Sequence, residues 1–317
     1  MTVVFWMVAG LTAAFTAVRA LGVERGTPMV QLVTYTPYAA VGGLAAGGIL
    51  LAAGAKAPGL VCLACGLVLA ALVAPRLVPR RAAGEGVRLR VMAANLLFGR
   101  GGTAALVEQV KVDDIDVLAV QELTAEGLAA LEEAGIDALL PHRVVGPAPG
   151  GAGAGLFSRH PIDGPGVRTL DPQPMTQAWA TVLVPGAGPV AVESAHPYPP
   201  RPGHVGVWAA NLADQPVPQA DGPPRVLLGD FNATLDHASL RRLLRAGYRD
   251  AAAVRGRGLR ATWPYRTVTL PFWTPPVTLD HVLADRRIGV REFNTRPTPN
   301  SDHRAVVAEL ILQPSAA

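Results

Sequence analysis

Hydrophobic positions are spread unevenly along the chain. Three runs without a charged residue stand at its front: Thr2–Val18 (17 residues), Gly26–Ala55 (30) and Ala57–Pro75 (19). A helix needs roughly 17–25 apolar residues to cross a bilayer, so each run is read as a membrane span, the middle one tilting or beginning late. The first run lacks a basic leader and is followed by two more, which favours a retained anchor over a cleaved signal peptide. The small residues Gly42, Gly43, Ala45, Ala46, Gly47 and Gly48 predict close helix packing in lipid. With no charge inside the runs, an ion pathway through them is not expected.

A polar stretch, Pro79–Gly86, separates these runs from a different pattern. Strands are predicted at Arg88–Leu97, Val117–Val120, Gly153–Phe157, Ala178–Val184, Val190–Ser194, Arg225–Leu228, Val277–Leu283, Val290–Asn294 and Ala305–Leu312. Helical spacing covers Thr103–Val112, Thr124–Ala134 with a threonine cap, His204–Leu212 and Ser239–Arg245. Several strands follow one another without helices between them, which excludes a simple doubly wound sheet. The expected fold class is α+β: two β-sheets packed face to face with helices outside, an α/β/β/α sandwich preceded by three transmembrane helices. The division reads 1–78 membrane anchor, 79–87 linker and 88–317 folded domain. No internal repeat is visible. Gly146–Gly155 is glycine-rich but lacks a following Lys-Ser/Thr, so it is read as a mobile hairpin or loop and not a phosphate loop.

Composition sharpens this division. Half of the 317 residues are hydrophobic and only 16% are charged, against about 25% in a typical soluble domain. The net charge of +4 is a property of the front: residues 1–81 hold six basic residues and one acid, leaving 22 basic and 23 acidic residues for the rest. The folded domain therefore lacks the polybasic surface of a general nucleic-acid binder. The two cysteines, Cys62 and Cys65, lie in an apolar run without a second pair, and read as small membrane-helix residues. No disulfide or thiol chemistry is available beyond them.

The informative residues are the polar ones at strand ends. Asn95, Glu122, His196, Asp230 with Asn232, Asp280-His281 and Asp302-His303 all border buried-looking strands. A single strand-end Asp or His is ordinarily a turn residue. If these ends meet at one rim they form a cluster of carboxylates, amides and imidazoles. Hard oxygen donors of this kind suit Mg²⁺ or Mn²⁺ better than Zn²⁺.

These residues also carry a resemblance. Asn95, Gln121-Glu122, Ser158-Arg159-His160-Pro161-Ile162, His196, Gly229-Asp230-Phe231-Asn232, Leu279-Asp280-His281-Val282 and Ser301-Asp302-His303-Arg304-Ala305-Val306 stand in the order of the endonuclease/exonuclease/phosphatase superfamily, the deoxyribonuclease I-like enzymes. Thr262-Trp263-Pro264 is similar as well, and the match runs from about Arg88 to Leu312. The N-terminal layout resembles a membrane-anchored bacterial branch, some of whose members are associated with glycopeptide resistance. The resemblance implies a metal-dependent phosphoesterase that attacks phosphorus in line with water. It implies metal ligation by Glu122 with Asn95 and Asp302, activation of water by Asp230, and phosphoryl contacts from Asn232, His196 and His303. Asp280 would orient His303 and raise its pKa.

The substrate is ranked from the residues. A bilayer tether keeps lipid-linked substrates at high local concentration, and Gly258, Leu259 and Leu270–Trp273 offer an apolar rim. A phosphorylated, undecaprenyl-type or phospholipid substrate is placed first, nucleic acid second, and a non-catalytic tethered binding module third. Arg159 either supports the rim or touches phosphate, and the arginines at 255, 257, 260 and 266 are headgroup candidates; Arg159, Arg257 and Arg260 are carried as substrate-binding residues. The protein is expected in the cell membrane, multi-pass. The charge count favours a cytoplasmic domain; the resemblance favours an extracytoplasmic one and is given more weight.

Overall fold

The computed structural model describes residues 1–81, 83–265 and 274–315. The front of the chain forms α1 (Thr2–Leu21), α2 (Met29–Val33), α3 (Thr36–Ala52) and α4 (Lys56–Val73). The middle apolar run is thus not a single helix. It breaks at Thr34 and Tyr35, where the Thr36 hydroxyl donates to the Val33 carbonyl at 2.7 Å. The short α2 turns inward instead, and its Val30 is fully buried in the same apolar cluster as Trp208, Leu227 and Leu240. Two helices, Thr2–Leu21 and Lys56–Arg76, are long and apolar enough to cross a membrane, and Thr36–Ala52 is a shorter apolar helix. The expectation of three transmembrane helices is corrected accordingly. Close packing by small residues does occur: a Cβ added to Gly66 of α4 would lie 2.7 Å from the Leu44 backbone nitrogen of α3.

The rest of the chain begins with β1 (Val87–Asn95), α5 (Thr103–Val112), β2 (Val117–Gln121), α6 (Ala125–Glu133), α7 (Ile136–Leu139), β3 (His142–Gly146) and β4 (Ala154–Ser158). It continues with β5 (Ile162–Leu170), β6 (Met175–Val184), β7 (Gly188–Ala195), α8 (Val205–Ala213), β8 (Arg225–Asp230) and α9 (Ala238–Arg245). It closes with β9 (Tyr248–Asp250), α10 (Ala251–Val254), β10 (Asp280–Asp285), β11 (Gly289–Pro297) and β12 (Arg304–Leu312). The strands form two six-stranded mixed sheets, ordered β11-β12-β1-β2-β4-β3 and β5-β6-β7-β8-β10-β9. The Gly146–Gly155 segment connects β3 to β4 as a hairpin.

Alternation along the strands assigns each side chain to a layer. Leu89, Val91 and Ala93 of β1 enter the core between the sheets with Val192 of β7, Leu228 of β8 and Val282 of β10. The intervening Met92 and Ala94 face Leu106 and Val110 of α5. On the far side, Leu227 and Leu283 meet Trp208 and Leu212 of α8 and Leu240 and Leu243 of α9. The result is the helix/sheet/sheet/helix order that the strand pattern predicts.

The two sheets repeat one topology although the sequence shows no repeat. β1 and β2 run parallel with α5 between them in sequence, and β7 and β8 run parallel with α8 between them. An antiparallel neighbour flanks each pair on both sides. The pairs end with Asn95 opposite Gln121 and Ala195 opposite Gly229.

Candidate active site

The polar strand ends meet at one rim, half from each sheet. Asn95 ends β1, Glu122 follows β2 and His303 precedes β12; His196 follows β7, Asp230 ends β8 and Asp280 opens β10. Oδ2 of Asp230 lies at the centre. It is 3.2 Å from the Asn95 amide nitrogen, 3.6 Å from His303 Nε2 and 3.7 Å from His196 Nε2. The Asn95 amide also donates to Glu122 Oε1 at 3.0 Å, tying the two carboxylates together.

Local backbone holds these groups in place. Gly229 has φ 149, and a Cβ there would lie 2.2 Å from the Ala195 carbonyl oxygen, so only glycine lets β8 approach β7 just before Asp230. Glu122 (φ 57) and Asn232 (φ 49) adopt left-handed backbone, which costs a non-glycine residue roughly 1–2 kcal/mol. Hydrogen bonds offset that cost. The Phe98 N–H donates to Glu122 Oε2 at 2.8 Å, the Asn232 N–H to Asp230 Oδ1 at 2.8 Å, and the Asn232 side chain to the Pro197 carbonyl at 3.1 Å.

Charge is distributed by burial and pairing. Asp230 is buried, which pushes its carboxyl pKa up, while His303 and His196 pull it back. Burial by itself would lower the pKa of His303. Asp280, 2.8 Å from Nδ1, and Asp230 outweigh that and push it up to about 10, so the imidazole is a cation at neutral pH. The Asp280 N–H donates to the Thr262 hydroxyl at 3.2 Å. Trp263 Nε1 donates to Asp302 Oδ2 at 3.0 Å, leaving Asp302 Oδ1 buried with no hydrogen-bond partner among the described residues. Ser301 links the two sides of this sheet, its hydroxyl donating to the Asn95 carbonyl at 2.8 Å and accepting from the His303 N–H at 3.1 Å.

A cavity of about 720 Å³ opens over the cluster, with Glu122, His196, Asp230, Asn232, Asp302 and His303 in its wall. Asn95 and Asp280 stand behind that wall. Asn95 turns its NH₂ toward the carboxylates, because its oxygen accepts the Leu97 N–H at 2.9 Å. It bridges Glu122 and Asp230 from this position, beside the carboxylate with which it is expected to share a metal. Asp230, Asp280 and His303 also gather ligand atoms within 4.8 Å of one another. Asp280 and His303 in that trio are also bonded to each other at 2.8 Å, so it is both an ion-paired group and a set of donors with metal-ligand spacing.

The three arginines expected at the substrate lie elsewhere. Arg159 follows Ser158, which pairs with Val117 at the end of β2 opposite Gln121. Its guanidinium is 2.7 Å from Asp114 and 3.3 Å from Asp116. Arg257 donates to the Phe293 carbonyl and Asn294 side chain, and Arg260 to the Thr295 hydroxyl at 3.3 Å. Acceptors along β11 hold these two away from the cavity. Arg266 and Leu270–Trp273 lie outside the described residues. Arg201 does line the cavity, with its guanidinium 6.0 Å from the Tyr198 ring; nothing in its sequence context singled it out. Gln31, Thr34 and Tyr35 line the cavity too, where the apolar run had suggested membrane. His281 is buried away from the cavity: burial would lower its pKa, but Asp250 at 2.9 Å raises it.

The model of the endonuclease/exonuclease/phosphatase family matches residues 92–303. Among solved structures, an endonuclease/exonuclease/phosphatase from Beutenbergia cavernae DSM 12333 is similar at TM-score 0.56 and 20% identity, covering 74% of this chain and 72% of its own. A truncated TDP2 from Caenorhabditis elegans gives 0.55 and 18%, covering 71% and 97%. D. rerio TDP2 complexed with a single-strand DNA product gives 0.54 and 15%, covering 70% and 98%. At these identities the likeness concerns the fold. No curated protein matches the chain.

Proposed function

The chain belongs to the endonuclease/exonuclease/phosphatase family, and on that premise we propose that it hydrolyses a phosphate ester or pyrophosphate on a lipid-linked substrate at a membrane. The observation that carries the hydrolytic reading is the Asp230 carboxylate set between two imidazoles, one of them charged by Asp280.

Asp230 orients the attacking water and takes its proton, since a buried carboxyl with a raised pKa is a better base than an exposed one. The His303 cation, the His196 ring and the Asn232 amide face the phosphoryl oxygens, where negative charge grows in the transition state. Asp280 keeps His303 charged and fixes its ring. Glu122 Oε1 and Asp302 Oδ1, which has no hydrogen-bond partner among the described residues, are hard oxygen donors beside the cavity, a set that fits Mg²⁺ or Mn²⁺. Those two residues would hold the cation, with Asn95 fixing Glu122. The ion would neutralise charge on the phosphoryl and leaving oxygens.

The lipid assignment is supported by the apolar helices packed against the domain, whose Val4, Leu11, Val41, Ile49, Leu60 and Leu67 are all exposed. It is also supported by the near-neutral charge of residues 82–317. The same helices support residence in the cell membrane; the resemblance to the membrane-anchored branch, set against the charge count, supports a hydrolytic domain outside the cytoplasm. A second reading, hydrolysis of nucleic acid, is favoured by the likeness in fold to a TDP2 that holds a DNA product. A panel on the full chain in detergent, comparing undecaprenyl pyrophosphate, phospholipid and single-stranded DNA with Mg²⁺ or with EDTA, decides between them. Metal-dependent release of phosphate from the polyprenyl substrate is expected. Turnover of DNA alone would replace the lipid reading, and no turnover of any substrate would leave a binding module.

A further inference from the structure

Thr34 and Val277 border two cavities at once. They form a common wall between the catalytic cavity and a second one of about 290 Å³, which lies between α3 and the segments that carry Leu259 and Pro276. Its helical wall is Pro37, Tyr38 and Val41. From Thr36, where α3 begins, to Val41 is five residues, about 8 Å of helix at roughly 1.5 Å per residue. The Tyr38 hydroxyl donates to the Pro276 carbonyl at 2.7 Å and pins the helix to the opposite wall.

Polarity changes in one direction from the first cavity to the second. The lining starts at carboxylates and imidazoles, passes Tyr35 and Thr34, and ends at Val41, which is 68% exposed among the apolar side chains of the helices. Two charged groups reach the groove, Arg76 and Asp236, and they are bonded to each other at 2.7 Å; the remaining wall is uncharged. A nucleotide or a DNA strand has nothing to place on such a wall. An amphiphile has a phosphate for one end and a hydrocarbon chain for the other. A volume of about 290 Å³ suits one chain and not two side by side.

We propose that the groove along α3 is a hydrocarbon subsite that seats about 8 Å of a single chain attached to the scissile phosphate. Pro37, Tyr38 and Val41 form one wall and Leu259 and Pro276 the other. The inference rests on the phosphoesterase reading and deepens it. The N-terminal segment then measures the substrate as well as anchoring the enzyme.

The probe is dodecyl phosphate with a terminal diazirine, photolysed with the full chain in detergent, followed by peptide mapping. The adduct is expected on the peptides carrying Pro37–Val41 or Leu259. Val41→Trp and, from the other wall, Leu259→Trp should each lower the adduct yield severalfold. Adducts confined to the outer faces of α1 or α4, or yields indifferent to both variants, overturn the subsite. A second readout is kcat/KM over a series of alkyl p-nitrophenyl phosphates. It should rise by up to about fourfold per methylene and level off once the chain outruns the groove; a flat series overturns the subsite. Absence of hydrolysis across the whole series would instead sink the phosphoesterase reading, because the cross-link requires no turnover.

Discussion

Replacing Asp236 by asparagine removes one charge from the junction between the N-terminal helices and the domain. Asp236 lies between β8 and α9 and its side chain is 1% exposed. It receives Arg19 from the end of α1 at 2.8 Å and Arg76 from the turn after α4 at 2.7 Å, with the two guanidinium side chains 5% and 8% exposed. The substitution keeps the shape and strands two buried cations. Breaking a buried ion pair from one side costs about 3–5 kcal/mol. If that energy holds the junction closed, opening becomes on the order of 10²–10⁴ times more frequent. Hydrogen exchange of the α2 amides and of the first turn of α9 reads this directly, since Val30 and the loop before α9 meet across the junction. Because Gln31, Thr34 and Tyr35 line the catalytic cavity, KM for a lipid substrate should rise in the same variant. Exchange within threefold of the native protein would refute the reasoning. A triple replacement, Asp236→Leu with Arg19→Met and Arg76→Met, should restore slow exchange, because no charge is then left buried alone.

Other expectations concern the site and the pH response. Asp230→Asn and His303→Ala should each lower kcat on the order of 10²–10⁴-fold with the fold retained, His303→Ala at a lower Tm because it leaves Asp280 buried without its partner; native turnover in either would remove the mechanism. Glu122→Gln should shift the Mg²⁺ titration of activity more than Asn95→Ala, because a carboxylate supplies a charge and the amide does not; superimposable titrations would contradict that division. Arg201→Ala should raise KM for a pyrophosphate more than for a monoanionic ester, and an equal change in both would exclude a phosphate contact. His237 is buried with its ring nitrogens on the Thr234 N–H and the Val30 carbonyl, and burial lowers its pKa below the ordinary 6.5. The unfolded chain therefore binds a proton below pH 6.5 that the folded chain resists, so His237 withdraws stability as pH falls through that range. The loss of Tm between about pH 7 and pH 5 should be smaller in His237→Gln, and identical slopes would count against the assignment.

The polar ends of buried strands were legible because Asn95, Glu122, Asp230 and His303 each interrupt an apolar run where a strand must stop. The Thr124 cap and the α5 periodicity were legible for the same local reasons: the Thr124 hydroxyl accepts the Gly127 N–H at 3.1 Å, as its position before a helix implies. The edge strand β5 was not, since Gly164, Pro165 and Gly166 break its pattern and most of its side chains are partly or fully exposed. The break between α2 and α3 had one signal, Pro37 in the first turn of α3, but an unbroken absence of charge concealed it. Arginines are the least legible group. Their partners lie far off in sequence: Arg159 is held by Asp114, 45 residues upstream, and Arg260 by Thr295, 35 downstream.

The contacts from Asn95 to Asp230 and from His303 to Asp280 both cross from one sheet to the other. The distance between the reacting groups is therefore not set at the rim. It is set by the apolar layer beneath, by how far Val91 and Ala93 hold one sheet away from Val192 and Leu228 of the other. That layer acts as a ruler for the chemistry. A misplacement of about 1 Å can cost on the order of 10²-fold in rate, far less movement than is needed to unfold a sandwich. Turnover is then a more sensitive gauge of interior spacing than any melting curve, and a substitution buried deep between the sheets can silence the enzyme while leaving every catalytic side chain intact.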